Sequence, residues 1–386
     1  MFERVVYGSL DVDVKSKSVR VPYPTFFAFI PGHGVVNAIT DGMPGYETVV
    51  DQHHGNDNIR APEQSWAGKR YAVEGEPGPN KATLWDIGDG DDGVKGAQTK
   101  PNYFLMGGGK KLISGGDADD TFIFGADARQ TLQQVKEVGE VWDDRTAGFG
   151  KRSTELWGEG GSNTLMFNGE LNTDHTERNV TRSYRYSGHV INFKTGTIAV
   201  SAEDPQADGA TPIARFHSFS NAITVEDGKS YIVGDEQSNT FTLNGKKDVV
   251  LTGQGNNVVI VNGGATVVGE GGSNTYYINK GDKEVVIKDP NDSVVRLDYS
   301  ASQVSGWSVS PSGELTVNLK GDKPGEERKL TFQNAFSDEA GGEKARPKFI
   351  TNDGVMMTIT APFQADSSIR VPKVSSLKVQ ADKPLA

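Results

Sequence analysis

The densest grouping of residues that could bind a metal or move a proton is Asp51, His53, His54 and Asp57. Adjacent histidines on a strand point to opposite faces, so both could reach one ion only from a loop. The pair therefore reads as part of a polar surface loop. The remaining histidines, His33, His175, His189 and His217, are scattered. Other catalytic signatures are missing: there is no Gly-x-Ser-x-Gly elbow and no His-Glu-x-x-His helix. Gly228-Lys229-Ser230 imitates the end of a phosphate loop, but Ile223 stands where that loop needs glycine. Aromatic side chains gather between residues 141 and 230. Trp142, Trp157, Tyr184 and Tyr186 are the candidates there for binding, because Trp and Tyr commonly anchor contacts.

Composition narrows the partners. Lys plus Arg is 40 and Asp plus Glu is 51, a formal charge of −11 over 386 residues. That sign disfavours nucleic acid and anionic membranes, which would repel the chain. The absence of cysteine removes disulfides and thiolate zinc sites. No run approaches the ~20 apolar residues of a membrane helix. The amino terminus, Met-Phe-Glu-Arg-Val-Val-Tyr, lacks a signal-peptide pattern. A secreted chain would then be exported without a cleaved leader, or be excised from a larger protein.

Glycine, 47 residues, points to repetition. Four phrases recur: Gly115 to Phe122, Gly158 to Leu165, Gly234 to Phe241 and Gly269 to Tyr276. In each, Asp or Asn precedes a large apolar residue by two positions. The polar position runs Asp92, Asn102, Lys111, Asp120, then Asn239, Asp248, Asn257, Thr266, Asn274, Lys283, Asp292. The apolar positions are Val94, Phe104, Ile113, Phe122, then Phe241, Val250, Val259, Val268, Tyr276, Val285, Val294. A period near nine predicts a tight Gly/Asn turn followed by a short strand with one inward side chain. Two such units close one turn of a flattened coil, so residues about 18 apart stack between two parallel sheets.

The pattern resembles the RTX, or haemolysin-type, nonapeptide repeat. Its best copies are Ile87 to Val94 and Gly115 to Phe122. Gly188 to Thr197 is similar to the strand-turn segment found between repeat blocks of that family. Gly313 to Phe336 with Asn352-Asp353-Gly354 is similar to its β-rich cap. The resemblance implies an all-β parallel β-roll, or β-solenoid, of degenerate repeats with a β-rich insertion and a carboxyl-terminal β cap. The expected organisation is an N-terminal β-rich cap over 1–85, a first roll block over 86–125 and an insertion with a short helix and a β lobe over 126–230. A second roll block over 231–295, a cap over 296–362 and a mobile tail over 363–386 follow.

It also implies Ca²⁺ held between turns by the sixth-position Asp. Hard cations want several oxygens, preferably anionic. The stacked pairs here are Asp92 with Lys111, Asn102 with Asp120, Asn239 with Asn257, Asp248 with Thr266, and Asn257 with Asn274. None is Asp with Asp, and a lysine opposes a divalent cation. The expectation is one or two ions at most in the first block, at Asp89, Asp91, Asp92 and at Asp117, Asp119, Asp120, and none over residues 239–292. For function, the resemblance implies the receptor- or glycan-binding region of a large secreted bacterial toxin, such as the makes-caterpillars-floppy insecticidal type, without catalysis. A host cell-surface receptor or glycan and the rest of a larger toxin chain would be its partners. A polysaccharide lyase or epimerase on a parallel β scaffold, or a structural adhesin or secretion segment, are the alternatives.

Overall fold

A computed structural model describes residues 11–13, 18–20, 46–51, 58–60, 82–88, 92–107, 110–124, 154–167, 171–177, 180–186, 189–200, 211–226, 228–310, 312–333, 335, 347–360 and 378–382. Strand is the dominant regular structure of the described residues, joined by short turns; the single helical element among them is a short 3₁₀ turn, Ala301–Gln303. Residues 125–153, which open the insertion where a short helix is expected, lie outside them. The chain divides into two compact units, Met1–Val190 with Gly196–Asn221, and Ile191–Thr195 with Ala222–Ala386.

In the first unit, strands alternate between two parallel-paired sheets. One sheet stacks Asp11–Asp13, Asn58–Arg60, Asp92–Lys95, Lys111–Gly116, Thr154–Glu159 and Thr211–His217. The other stacks Tyr46–Asp51, Ala82–Gly88, Asn102–Met106, Thr121–Phe124 and Thr164–Phe167. The stacking register follows the repeat: Val94 pairs with Ile113, and Phe104 with Phe122. All four side chains are buried. The expectation of one inward side chain per strand falls short, because most carry two, such as Phe104 with Met106 and Leu165 with Phe167, and these side chains pile into columns. Trp85, Phe104, Phe122, Phe219 and Phe216 form a continuous aromatic column, with successive centroids 6.0, 4.7, 4.9 and 5.6 Å apart. Such contacts add to burial, and truncating one of these rings costs about 3–5 kcal/mol.

Part of the segment expected as an insertion is coil. Leu156 pairs with Ile113 and Leu165 with Phe122, so Thr154–Glu159 and Thr164–Phe167 are two more rungs. The step across this boundary is 43 residues in place of 18, which breaks the period without breaking the stack. A lobe does follow: Leu171–Glu177 and Val180–Tyr186 form a two-stranded antiparallel sheet of their own.

The second unit repeats the plan. Tyr231–Val233, Asp248–Leu251, Ala265–Val268 and Val285–Lys288 stack in one sheet. Thr240–Leu243, Val258–Val261, Thr275–Ile278 and Val294–Leu297 stack in the other. Phe241, Val250, Val259, Tyr276 and Val285 face the core as the period predicts. Val268 and Val294 do not. Val250 pairs with Val267 and Tyr276 with Val295, leaving the expected residues outward by one position. The cause is uneven turn length, because a one-residue slip moves a side chain to the other face. Asp248 accordingly pairs with Ala265, not Thr266.

The carboxyl end closes this unit as a β cap. Glu327–Phe332 pairs in parallel with Val285–Lys288 and continues antiparallel to Leu315–Lys320 and Val304–Val309. Lys348–Thr351 caps the other sheet, followed by Met356–Thr360. Part of the tail expected to be mobile is a strand: Lys378–Asp382 pairs antiparallel with Met356–Thr360, covering an edge that would otherwise present unpaired backbone.

Candidate functional site

The corner positions of the coil, where the resemblance places Ca²⁺, carry a recurrent bond. In each case a side-chain oxygen reaches back one rung and accepts the backbone N–H of the equivalent residue. Asn102 N donates to Asp120 Oδ1 at 2.7 Å, and Asp120 N to Asn163 Oδ1 at 2.9 Å. Lys111 N donates to Thr154 Oγ1 at 3.1 Å. In the second unit Asn239 N donates to Asn257 Oδ1, Asn257 N to Asn274 Oδ1 and Ser230 N to Asp248 Oδ1, at 2.9, 3.0 and 2.8 Å. A buried N–H must find a partner, and at a sheet corner the ladder does not supply one. The repeat's Asp or Asn does.

Those bonds engage side-chain oxygens at these corners. Asp120 Oδ1 also accepts from Asn102 Nδ2 at 2.8 Å, and Oδ2 accepts from Gly116 N at 2.7 Å. Burial pushes the Asp120 carboxyl up to about 6, against the pull of these donors. Asp248 is likewise pushed up to about 6 by burial, while Thr224 Oγ1, Ser230 N and Gly245 N donate to it. Asp117 and Asp119 are exposed and do not converge with Asp120; Asp119 Oδ1 accepts from Ser162 N at 2.7 Å. Asp92 Oδ2 is 2.5 Å from Lys111 Nζ, with both side chains buried. Asp89 and Asp91 lie outside the described residues. Among the described residues no three acidic or imidazole groups converge. The described side-chain oxygens at these corners thus accept from N–H groups and an ammonium.

A different grouping lies on the outward face of the first unit. The strand Thr154–Glu159 alternates, burying Thr154, Leu156 and Gly158 and turning Glu155, Trp157 and Glu159 outward. In register beside it, Arg215 and His217 face the same way. The Trp157 and His217 rings stack, with centroids 5.6 Å apart and planes 14° from parallel. His217 Nε2 lies 3.1 Å from Glu155 Oε1. Ser114, the next residue along the Trp157 row, donates to Glu159 Oε1 at 3.0 Å. Glu159 and Ser218 adopt left-handed backbone, φ 62° and 60°. They are the non-glycine residues with positive φ among those described, and they border the ring pair. Such strain collects where geometry is held for a purpose.

Of the aromatic candidates, Trp157 falls in this grouping. Tyr184 and Tyr186 belong to the separate hairpin, opposite Thr173 and Leu171. Trp142 lies outside the described residues. His217, Glu155 and Arg215 were missed from sequence, although the alternation in Thr-Glu-Leu-Trp-Gly-Glu and Ile-Ala-Arg-Phe-His would have placed them outward.

Lys111, His189 and Arg328 are the buried basic side chains among the described residues. His189 is fully buried against Phe167, centroids 4.2 Å apart, and neither ring nitrogen has a hydrogen bond. Burial pushes its imidazole down to about 3. Arg328 is buried in the second unit, and its Nη2 donates to Asn262 O at 2.7 Å.

No family model matches the chain, and no curated protein matches it. Among the described residues no helix is long and apolar enough to cross a membrane.

Proposed function

We propose that this chain is a non-catalytic binding module, the RTX-like receptor- or glycan-binding region of a secreted bacterial toxin. The observation that carries the reading is the stacked Trp157–His217 pair on an outward face of a parallel sheet. A rigid sheet fixes such rings in advance, which lowers the ordering cost of association. Sugar rings and receptor side chains both pack well on aromatic faces, and Glu155, Arg215 and Glu159 supply polar contacts around them.

One observation favours a second reading. A histidine 3.1 Å from a carboxylate, with Arg215 in register beside Glu155, is the kind of proton-moving set a lyase or epimerase would use on a polysaccharide. The deciding experiment applies the labelled full chain to host cells and to neutral and anionic glycans, and follows unsaturated products in parallel. Saturable binding without turnover, weakened about 30-fold by Trp157→Ala, supports the module. Turnover abolished by His217→Ala supports the enzyme. Binding that survives Trp157→Ala unchanged removes this face from the account, and no binding at all leaves the structural adhesin or secretion role.

A further inference from the structure

We propose that the Lys111 ammonium takes the place of the divalent cation in the first unit. The roll is then pinned by a charge of its own chain, and its folding does not wait for Ca²⁺. Asp92 and Lys111 occupy the same corner position on successive rungs of one sheet, and they pair directly in the ladder. An interturn cation would sit between two such positions. Lys111 Nζ is there, 2.5 Å from Asp92 Oδ2, with the two side chains 2% and 0% exposed. The backbone joins the same corner, because Asp92 N donates to Lys110 O at 2.8 Å. The next rung closes it through Thr154, which accepts from Lys111 N.

Charge balance explains why this residue type works. A carboxylate taken out of water is costly unless a positive group meets it at contact distance. A metal ion would meet it with two charges and would need further anionic oxygens to balance the excess. One ammonium balances one carboxylate. The opposite corner of the same unit needs no cation, since Asp120 is surrounded by three N–H donors. The two edges therefore use different devices for one purpose.

The substitution series follows from this. Lys111→Met keeps an unbranched stem and takes the ammonium away from the buried Asp92 carboxylate. Lys111→Asp places two carboxylates at adjacent corners, the arrangement a divalent cation binds. Asp92→Asn with Lys111→Met removes both charges.

The test is thermal unfolding of the full chain, followed by circular dichroism in chelator and in about 5 mM Ca²⁺. The wild type is expected to melt at the same temperature, within about 1 °C, in both. Lys111→Met is expected to melt roughly 10 °C lower in both, and the double variant to recover most of that loss. Lys111→Asp is expected to be destabilised in chelator and raised by Ca²⁺. A wild type that loses its structure in chelator overturns the proposal. So does Lys111→Met melting with the wild type, or Lys111→Asp that folds but ignores Ca²⁺. If Lys111→Asp does not fold, the other two variants decide. A double variant no more stable than Lys111→Met then counts against the ion pair.

Discussion

The backbone N–H of Asn239 donates to Oδ1 of Asn257, eighteen residues later and 2.9 Å away. Asn257 passes the same bond to Asn274, so the amides form a buried ladder along one corner of the second roll. A second amide ladder, Asn244, Asn262 and Asn279, runs exposed at the other ends of the same strands. The two use one chemistry in two environments. Asn257→Ala removes the Oδ1 that accepts the buried N–H of Asn239 and is expected to cost about 1–3 kcal/mol. Asn262→Ala, whose partners can turn to water, is expected to cost under about 0.5 kcal/mol. Urea unfolding of the two variants checks this, and equal losses would sink the distinction.

The buried ladder was partly legible in the sequence. Asn239, Asn257 and Asn274 stand at the repeat's polar position and stack as the period requires. Phe104 over Phe122 and Val94 beside Ile113 were equally readable, because a regular turn keeps the register. The register failed at Val268 and Val294, where turns lengthen or shorten by a residue or two. Periodicity cannot see that, since Gly/Asn turns of several lengths close the same corner. The Gly158 to Leu165 phrase was visible, yet the 43-residue step before it hid its membership of the coil. Arg328 carries no periodic signal at all. Its burial follows from the cap strand pairing with Val285–Lys288 across more than forty residues.

Glycine at the start of the repeat is required by space. A Cβ on Gly115 would lie 2.1 Å from Asp120 Oδ2, the oxygen that Gly116 N holds. Asp120 cannot withdraw without releasing its donors. Gly115→Ala is therefore expected to lower stability by about 2–3 kcal/mol, with Gly325→Ser, in open space but at positive φ, costing nearer 1 kcal/mol. Chemical denaturation of both compares the two causes. A Gly115→Ala variant as stable as the wild type would show that the corner has room to yield.

Acid acts on two kinds of buried group with opposite signs. Asp120 and Asp248 are raised from 3.8 to about 6 by burial, so the stability they contribute is complete below about pH 3.8 and lost as pH rises through about 6. His189 is lowered from 6.5 to about 3, so its contribution is complete above about pH 6.5 and lost as pH falls toward 3. His189→Phe keeps a ring against Phe167 and removes the acid-side loss. The variant is expected to gain about 2 kcal/mol on the wild type between pH 8 and pH 5. Urea titrations at the two pH values give the difference, and a gain that does not change with pH would rule out His189 as its source.

Strain beside the ring pair is separable from binding. Ser218 holds φ 60° one residue after His217, a conformation that glycine adopts without penalty. Ser218→Gly is expected to raise stability by up to about 1 kcal/mol. If the strain positions His217, ligand binding should weaken in the same variant. A stabilised protein with unchanged binding would make the left-handed residue a structural corner alone.

Amide hydrogen exchange tests the corner bonds most directly. The N–H groups of Asn102, Asp120, Ser230, Asn239 and Asn257 should exchange as slowly as those of the strands beside them, with or without chelator. In Asn257→Ala, protection should be lost at Asn239 before it is lost in the flanking strands. Fast exchange at these five positions in the wild type, or protection that appears only with added Ca²⁺, would contradict a roll held by its own asparagine and aspartate oxygens.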